Sequence, residues 1–104
     1  MTVHIGDVQT FKDVSPDKAQ ALKPLEEAAE TFAAWQRCAN RCFLANCESC
    51  SLSETDSCRD FVEIVDECCD TVQAACNLLA SLGVTDLSNH MKRCEQRNRA
   101  RGRL

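Results

Sequence analysis

The chain has 104 residues, enough for one domain, and 44% of them are hydrophobic, which excludes wholesale disorder. Asp and Glu number 16 against 12 Lys and Arg, and the resulting net charge of −4 does not favour nucleic-acid binding. Three glycines and two prolines are too few for a turn-rich β sandwich or barrel, so the composition favours helices.

The N-terminal segment, residues 1–14, alternates only weakly between apolar and polar residues, and we expect a short irregular arm. It lacks the basic start and apolar run of a secretory signal. No apolar run in the chain approaches the roughly 20 residues that cross a bilayer. These features favour a cytoplasmic protein, or a mature form whose leader has been removed, and no membrane partner.

The next segment predicts two helices separated by a proline. Ser15 and Pro16 form a helix start signal, and Pro24 lacks the N–H that a continuous helix uses, which predicts helices over 16–23 and 24–46. In the second helix, apolar residues recur every three or four positions. They form one stripe that we expect to face the core, with Trp35 inside it: Leu25, Ala28, Phe32, Trp35, Ala39 and Cys42.

Two more helices are predicted after residue 53. A capping signal at Ser53 begins a helix over 54–82, and Gly83 ends it. Its apolar seam keeps a heptad pattern: Cys58, Val62, Val65, Cys69, Val72, Cys76 and Leu79. Thr85 or Ser88 caps a fourth helix. We therefore expect an all-α fold, an antiparallel four-helix-type bundle over residues 15–96 with a basic tail over 97–104.

Nine cysteines, about 9% of the chain, are the outstanding chemical feature. One buried thiol can be small apolar filler, but nine in helical register indicate a chemical role. Folding the helices back around residue 53 would place Cys38 opposite Cys68 and Cys69, and Cys47 opposite Cys58. Layered thiolates suit Cu(I), a soft ion. The predicted ligands, with one thioether, are Cys38, Cys42, Cys47, Cys50, Cys58, Cys68, Cys69, Cys76, Cys94 and Met91.

Other uses of the cysteines stay open. Only Cys47 and Cys50 have the two-residue spacing of a zinc knuckle, and the run from Cys38 to Cys50 supplies the four thiols of an iron–sulfur cluster. The same cross-hairpin pairs could instead be disulfides that staple a helical interaction module without metal. An odd number of cysteines excludes complete pairing within one chain, and the cytosol keeps thiols reduced.

Cysteine-bearing runs extend across about residues 28–96: Cys38-Ala-Asn-Arg-Cys42, Cys47-Glu-Ser-Cys50, Cys58, Cys69, Cys76 to Gly83, and Ser88 to Cys94. This pattern resembles the bacterial Cys-rich four-helix-bundle copper-storage proteins. The resemblance implies core thiolates that bind many Cu(I) ions for storage or buffering, a cytosolic location and a homo-oligomer, often a tetramer. The chain has fewer cysteines than that family, only one of them in the last helix, and the Cys42–Cys47 step leaves the helix face by about 140°. A divergent member with lower copper capacity is expected.

Charge and motifs bear on the remaining functions. Residues 92–104 contain six basic residues and one acid, whereas residues 1–91 contain 15 acids and six basic residues. The acidic body would repel phosphate, so we expect a solvated tail, or one that docks on a neighbouring subunit, instead of a nucleic-acid partner. The chain has no nucleophile–base motif, no glycine-rich phosphate loop and no paired acids in an apolar setting, so no enzymatic activity is expected.

Overall fold

The structure, a computed structural model, describes residues 1–45 and 59–104, with only the backbone described for 42–45. These residues contain three α-helices and no strand, which confirms the expected all-helical class for this part of the chain. The helices are α1 (Lys18–Ala45), α2 (Arg59–Ser81) and α3 (Ser88–Ala100). Residues 1–17 adopt neither helix nor strand and are called the N-terminal arm below.

Helix α1 is continuous through Pro24, so the predicted break at that residue is wrong. A proline removes a single N–H donor, and the hydrogen bonds on either side of it are enough to hold one helix here. The cap also differs from the prediction, because Gln20 N donates to Asp17 Oδ1 at 2.9 Å, which makes Asp17 the capping residue where Ser15 was expected. The helices predicted over 16–23 and 24–46 are therefore one helix, and the described chain has three helices instead of four.

Helices α1 and α2 pack as an antiparallel pair. The hydroxyls of Thr31 and Thr71 lie 3.0 Å apart, and Arg41 Nη1 lies 2.9 Å from Asp60 Oδ1. Residue numbers rise along α1 as those of the partners fall along α2, so the two helices run in opposite directions. The buried hydrophobic residues of the described chain are the small ones Ala34, Cys38 and Ala74.

The apolar stripes predicted to face the core are largely exposed, so that part of the packing prediction is wrong. In α1, Phe32 is 60% exposed and Trp35 is 49% exposed. In α2, Val62 and Val65 are 38% and 44% exposed. At about 100° per residue, Val65 lies roughly 180° around α2 from the buried Ala74. The two helices contact each other through small and polar residues, with the Thr31–Thr71 hydrogen bond and the Arg41–Asp60 ion pair between them. The apolar stripe of each helix points away from this contact.

The N-terminal arm is held against α2 by side-chain hydrogen bonds. Phe11 N donates to Asn77 Oδ1 at 3.0 Å, and Gln73 Nε2 donates both to Gln9 O and to Asn77 Oδ1 at 3.0 Å. Asn77 is only 3% exposed. Two side-chain amides of α2, the buried one of Asn77 and that of Gln73, therefore anchor the arm to the helical pair.

Helix α2 ends where the sequence predicts. Gly83 adopts a positive φ of 78°, and Val84 N donates to Leu79 O at 2.9 Å, a glycine-terminated helix end. Leu87 occupies the N-cap position of α3, so the cap predicted at Thr85 or Ser88 is wrong, and just before it Asp86 accepts hydrogen bonds from the backbone N and the hydroxyl of Ser88. Across the described ranges, α3 packs against neither α1 nor α2. It extends to Ala100, so it includes the first residues of the segment expected to be a tail.

Candidate metal centre

Acidic side chains from both helices meet where α1 and α2 pack. Glu27 and Glu30 are three residues apart in α1, and one carboxylate oxygen of each lies within 4.8 Å of the other and of a Glu67 oxygen in α2. Asp70, three residues after Glu67, repels both Glu27 and Glu67. Residues three apart share a helix face, so antiparallel packing brings one acidic pair of each helix together. These four residues are called the carboxylate cluster.

The environment of the carboxylate cluster disfavours its charged form. Burial raises the pKa of Glu27, and a hydrogen bond with Glu30 and repulsion from Glu30 and Asp70 raise it further. Burial also raises the pKa of Glu67, as does repulsion from Glu30 and Asp70, while Arg37 opposes the shift. Glu67 Oε2 is a buried acceptor with no hydrogen-bond partner in the described residues. A cation bound among these oxygens would relieve the repulsion.

A cavity of about 390 Å³ opens beside the carboxylate cluster. Its size lies within the range of small-molecule sites. Glu27 and Asp70 belong to both the cluster and the cavity wall, and the wall also contains Lys23, Phe11, Asn77 and two further acids, Asp13 and Asp17. The pKa of Lys23 is raised by its hydrogen bond and charge interaction with Glu26, its partner at 3.0 Å, so the amine carries its charge at neutral pH.

The cluster offers hard ligand atoms. Carboxylate oxygens suit Mg²⁺, Mn²⁺ and Ca²⁺, whereas Cu(I) favours thiolates. Glutamates that project inward from facing helices are a recurrent way for helical proteins to hold metal ions. Among the described residues, the one group of three side chains close enough to share an ion consists of Glu27, Glu30 and Glu67, and it contains no sulfur.

The predicted thiol layers are not assembled by the α1–α2 packing. Cys38 is buried between the helices, but Cys68 and Cys69 are exposed on α2. The observed pairing of Thr31 with Thr71 differs by about one helical turn from the predicted register, so Cys38 does not lie opposite Cys68 and Cys69. The prediction of this thiol pairing is therefore wrong for a single chain.

The remaining predicted ligands are dispersed. Cys76 is half-buried and lines a second cavity together with Met91 and the N-terminal arm. Met91 itself is 57% exposed, and the half-buried Cys94 accepts a hydrogen bond from Asn98 at 3.5 Å. Four thiols are not in disulfides in the described structure: Cys68, Cys69, Cys76 and Cys94. Four predicted ligands lie outside the residues whose side chains are described: Cys42, Cys47, Cys50 and Cys58.

Sequence reasoning missed the carboxylate cluster, although a signal for it was present. Glu27-x2-Glu30 and Glu67-x2-Asp70 are carboxylate pairs at the spacing that places both members on one helix face. The sequence around these acids is not apolar, so it gave no indication that they would be buried. Their burial comes from the facing helix, which only the tertiary structure shows.

Comparisons with known proteins add no homologue. No protein-family model, no curated protein and no solved structure matches the chain. The resemblance to copper-storage proteins thus depends on the cysteine pattern alone. Among the described helices, none combines the length and the apolar character that crossing a membrane requires.

Proposed function

We propose that the protein binds a divalent metal ion, Mg²⁺ or Mn²⁺, at the carboxylate cluster and uses it to hold a phosphate-bearing small molecule in the adjoining cavity. The observation that carries this proposal is the convergence of three carboxylate oxygens within 4.8 Å across two helices. Burial and repulsion between the carboxylates raise the pKa values of Glu27 and Glu67, and a divalent cation would offset the repulsion.

The cavity suits a phosphate ester with a flat ring. Mg²⁺ is commonly bound by a few carboxylates and completes its coordination with water and substrate phosphates. The cavity wall holds four acids, Asp13, Asp17, Glu27 and Asp70, against Lys23, which pairs with Glu26, so attraction for a phosphate has to come from the bound metal ion. Phe11, which is 64% exposed, offers a ring on which a base can stack. The amide of Asn77 lies in the same wall. A nucleotide combines the phosphate and the flat polar ring that these groups would recognise.

Such a site would also be suited to hydrolysis. A metal ion lowers the pKa of a bound water, and a phosphate held beside it is the starting arrangement for attack by hydroxide. The expected absence of enzymatic activity was inferred from missing motifs, none of which tests for a metal-activated water. We retain the proposal that the protein has no enzymatic activity. Release of phosphate or pyrophosphate from nucleotides in the presence of Mg²⁺ would contradict that proposal.

The test is Mn²⁺ binding to the metal-free full chain, measured by the loss of the free-ion electron paramagnetic resonance signal. The matched variants are Glu67→Gln in the cluster and Glu63→Gln one turn earlier in α2, where the glutamate pairs with Arg59. We expect a dissociation constant raised tenfold or more for the first and unchanged for the second. Equal affinity of the two variants, or no binding by the wild-type chain at millimolar Mn²⁺, would refute the proposal.

Nucleotide binding is tested separately with the same protein. A nucleoside triphosphate should bind at least tenfold more tightly with Mn²⁺ present than absent, as measured by isothermal titration calorimetry. Free phosphate, pyrophosphate and a nucleoside serve as probes for the two halves of the ligand. Binding of Mn²⁺ without any effect on these ligands would leave a metal site and refute the phosphate part of the proposal.

Cytoplasmic Cu(I) storage or buffering by thiolates is the second candidate. The observation that favours it is the position of Cys69, exposed on the outward apolar stripe of α2 next to Cys68, where thiols of two chains could meet. A homo-oligomer, with a four-helix bundle built from two α1–α2 pairs, is part of this candidate. Anaerobic Cu(I) titration against a competing chelator tests it, and uptake below one equivalent per chain would refute it.

The other cysteine chemistries have simple readouts. A zinc or iron–sulfur site at Cys38, Cys42, Cys47 and Cys50 would appear in elemental analysis of freshly purified protein. A disulfide-stapled interaction module would leave one or three free thiols per chain, whereas about nine free thiols would favour metal binding.

A further inference from the structure

We propose that α3 binds the phosphate backbone of double-stranded DNA through its outer side, which is called the basic face below. The basic face consists of four exposed residues of α3: Lys92, Arg93, Arg97 and Arg99. The proposal is independent of the carboxylate cluster, which lies between α1 and α2, and it concerns a different ligand from the proposed function.

The basic residues share one side of α3. At about 100° per residue, the four residues of the basic face fall within an arc of about 160°. Met91 and the half-buried Cys94 lie on the opposite side of the helix. Met91 lines the second cavity together with residues of α2 and the N-terminal arm. The apolar side of α3 therefore faces the rest of the chain, and the basic face is turned toward solvent.

Most of the positive charge on the basic face is available to a ligand. Arg99 pairs with Glu95 at 2.9 Å. The other three residues form no ion pair with a described residue, although Arg93 contacts the ring of His90 at 2.8 Å. Two exposed arginines follow the helix, so residues 92–104 contain six basic residues and one acid. A polyanion offers the opposite charge at matching density.

The acids of the remaining chain do not cover the basic face. From the sequence alone, the negative charge of residues 1–91 argues against a nucleic-acid partner. In the described ranges, however, no Cα atom of α3 lies within 8 Å of a Cα atom of α1 or α2, which carry the carboxylate cluster. At physiological ionic strength, exposed charges more than about 8 Å apart are largely screened. The basic face therefore governs the attraction of a phosphate on the outer side of α3.

The shape and composition of α3 favour duplex DNA over other polyanions. The major groove of B-DNA admits an α-helix, whereas that of duplex RNA is deep and narrow. Single strands are typically bound by stacking of bases on aromatic rings, and residues 88–104 contain no Phe, Trp or Tyr. An anionic membrane requires an apolar side that is free to insert, but the apolar side of α3 faces the second cavity. Because contacts to phosphates carry no sequence information, binding should show no sequence preference.

The experiment is a titration of a fluorescently labelled DNA duplex of roughly 20 base pairs with the full chain, followed by anisotropy. EDTA is present throughout, so that no metal ion at the carboxylate cluster contributes. We expect a micromolar dissociation constant in 50 mM NaCl. Neutralisation of about three phosphates should raise that constant about fortyfold in 200 mM NaCl, a slope of about −2.7 in a double-logarithmic plot of the association constant.

Two double variants with the same net charge test the position of the site. Arg93→Gln combined with Arg97→Gln removes two charges from the basic face, and glutamine retains a good helix propensity. This variant should weaken DNA binding tenfold or more and reduce the magnitude of the salt slope by about 1.8. Lys18→Gln combined with Arg59→Gln removes two exposed charges from α1 and α2 and should change the affinity less than twofold.

Equal affinity of the two double variants, or no binding at 100 µM protein in 50 mM NaCl, would overturn the proposal. Tighter binding to duplex RNA, to single-stranded DNA or to phosphatidylglycerol vesicles than to duplex DNA would also overturn it. Failure of DNA binding leaves the Mn²⁺ titration of the carboxylate cluster unaffected, and failure of that titration leaves the DNA result unaffected, so the two outcomes are distinguishable.

Discussion

Replacement of Asn77 by alanine tests how the N-terminal arm is held over the candidate cavity. Asn77 Oδ1 accepts hydrogen bonds from Phe11 N and from Gln73 Nε2, each at 3.0 Å. The residue is 3% exposed, so water cannot readily replace the lost acceptor. We expect Asn77→Ala to loosen the arm, which Gln73 Nε2 still holds at Gln9 O, and to destabilise the folded chain.

The expected size of this effect follows from those contacts. Two hydrogen bonds contribute about 1 kcal/mol each, and the Phe11 N–H left without its acceptor adds to the cost, for a total of about 2–3 kcal/mol. For a domain of about 100 residues this loss lowers the melting temperature by roughly 10–20 °C. Because Phe11 lines the cavity, the affinity for a nucleotide in the presence of metal should also fall.

Urea denaturation followed by circular dichroism measures the free energy of unfolding, and Asn40→Ala is the matched control. Both asparagines lie inside helices, so both substitutions gain the same small helix propensity, but Asn40 is exposed. Amide exchange at Phe11 should accelerate in Asn77→Ala alone. If the two variants unfold with free energies within about 0.5 kcal/mol of each other, the anchoring argument fails.

Two further predictions concern charge. Because burial and neighbouring carboxylates raise the pKa of Glu67, the folded chain binds more protons than the unfolded chain, so the stability of the metal-free protein should fall as pH rises from about 4.5 through the raised pKa. Millimolar Mg²⁺ should raise the melting temperature at pH 7.5 but not at pH 4.5, and an equal gain in Glu67→Gln would contradict this. Removal of Arg41 leaves the buried Asp60 without its ion pair and should cost about 1–2 kcal/mol, less than for a fully buried pair because Arg41 is 66% exposed. Arg59→Ala, which removes an exposed pair, should cost under about 0.5 kcal/mol in the same urea titration, and similar losses in both would show that burial of Asp60 is unimportant.

The helical class and the end of α2 were predictable because both depend on local sequence. Low glycine and proline content, three- and four-residue apolar spacing and the positive-φ glycine at position 83 act within a few residues of each other. The break predicted at Pro24 also depended on local sequence, but it was wrong. A helix tolerates the loss of one backbone hydrogen bond when its other hydrogen bonds and contacts hold it together.

The sequence by itself determined which residues share a face of each helix, including Glu27 with Glu30 and Glu67 with Asp70. Only the tertiary structure decided which face of α1 meets which face of α2. Apolar periodicity shows that a stripe needs cover, but the cover can come from the same chain or from another copy, and the periodicity is identical in both cases. The hydrogen bond between Thr31 and Thr71 and the surrounding small residues join the other faces, and that choice brings the carboxylates together and leaves the apolar stripes outside.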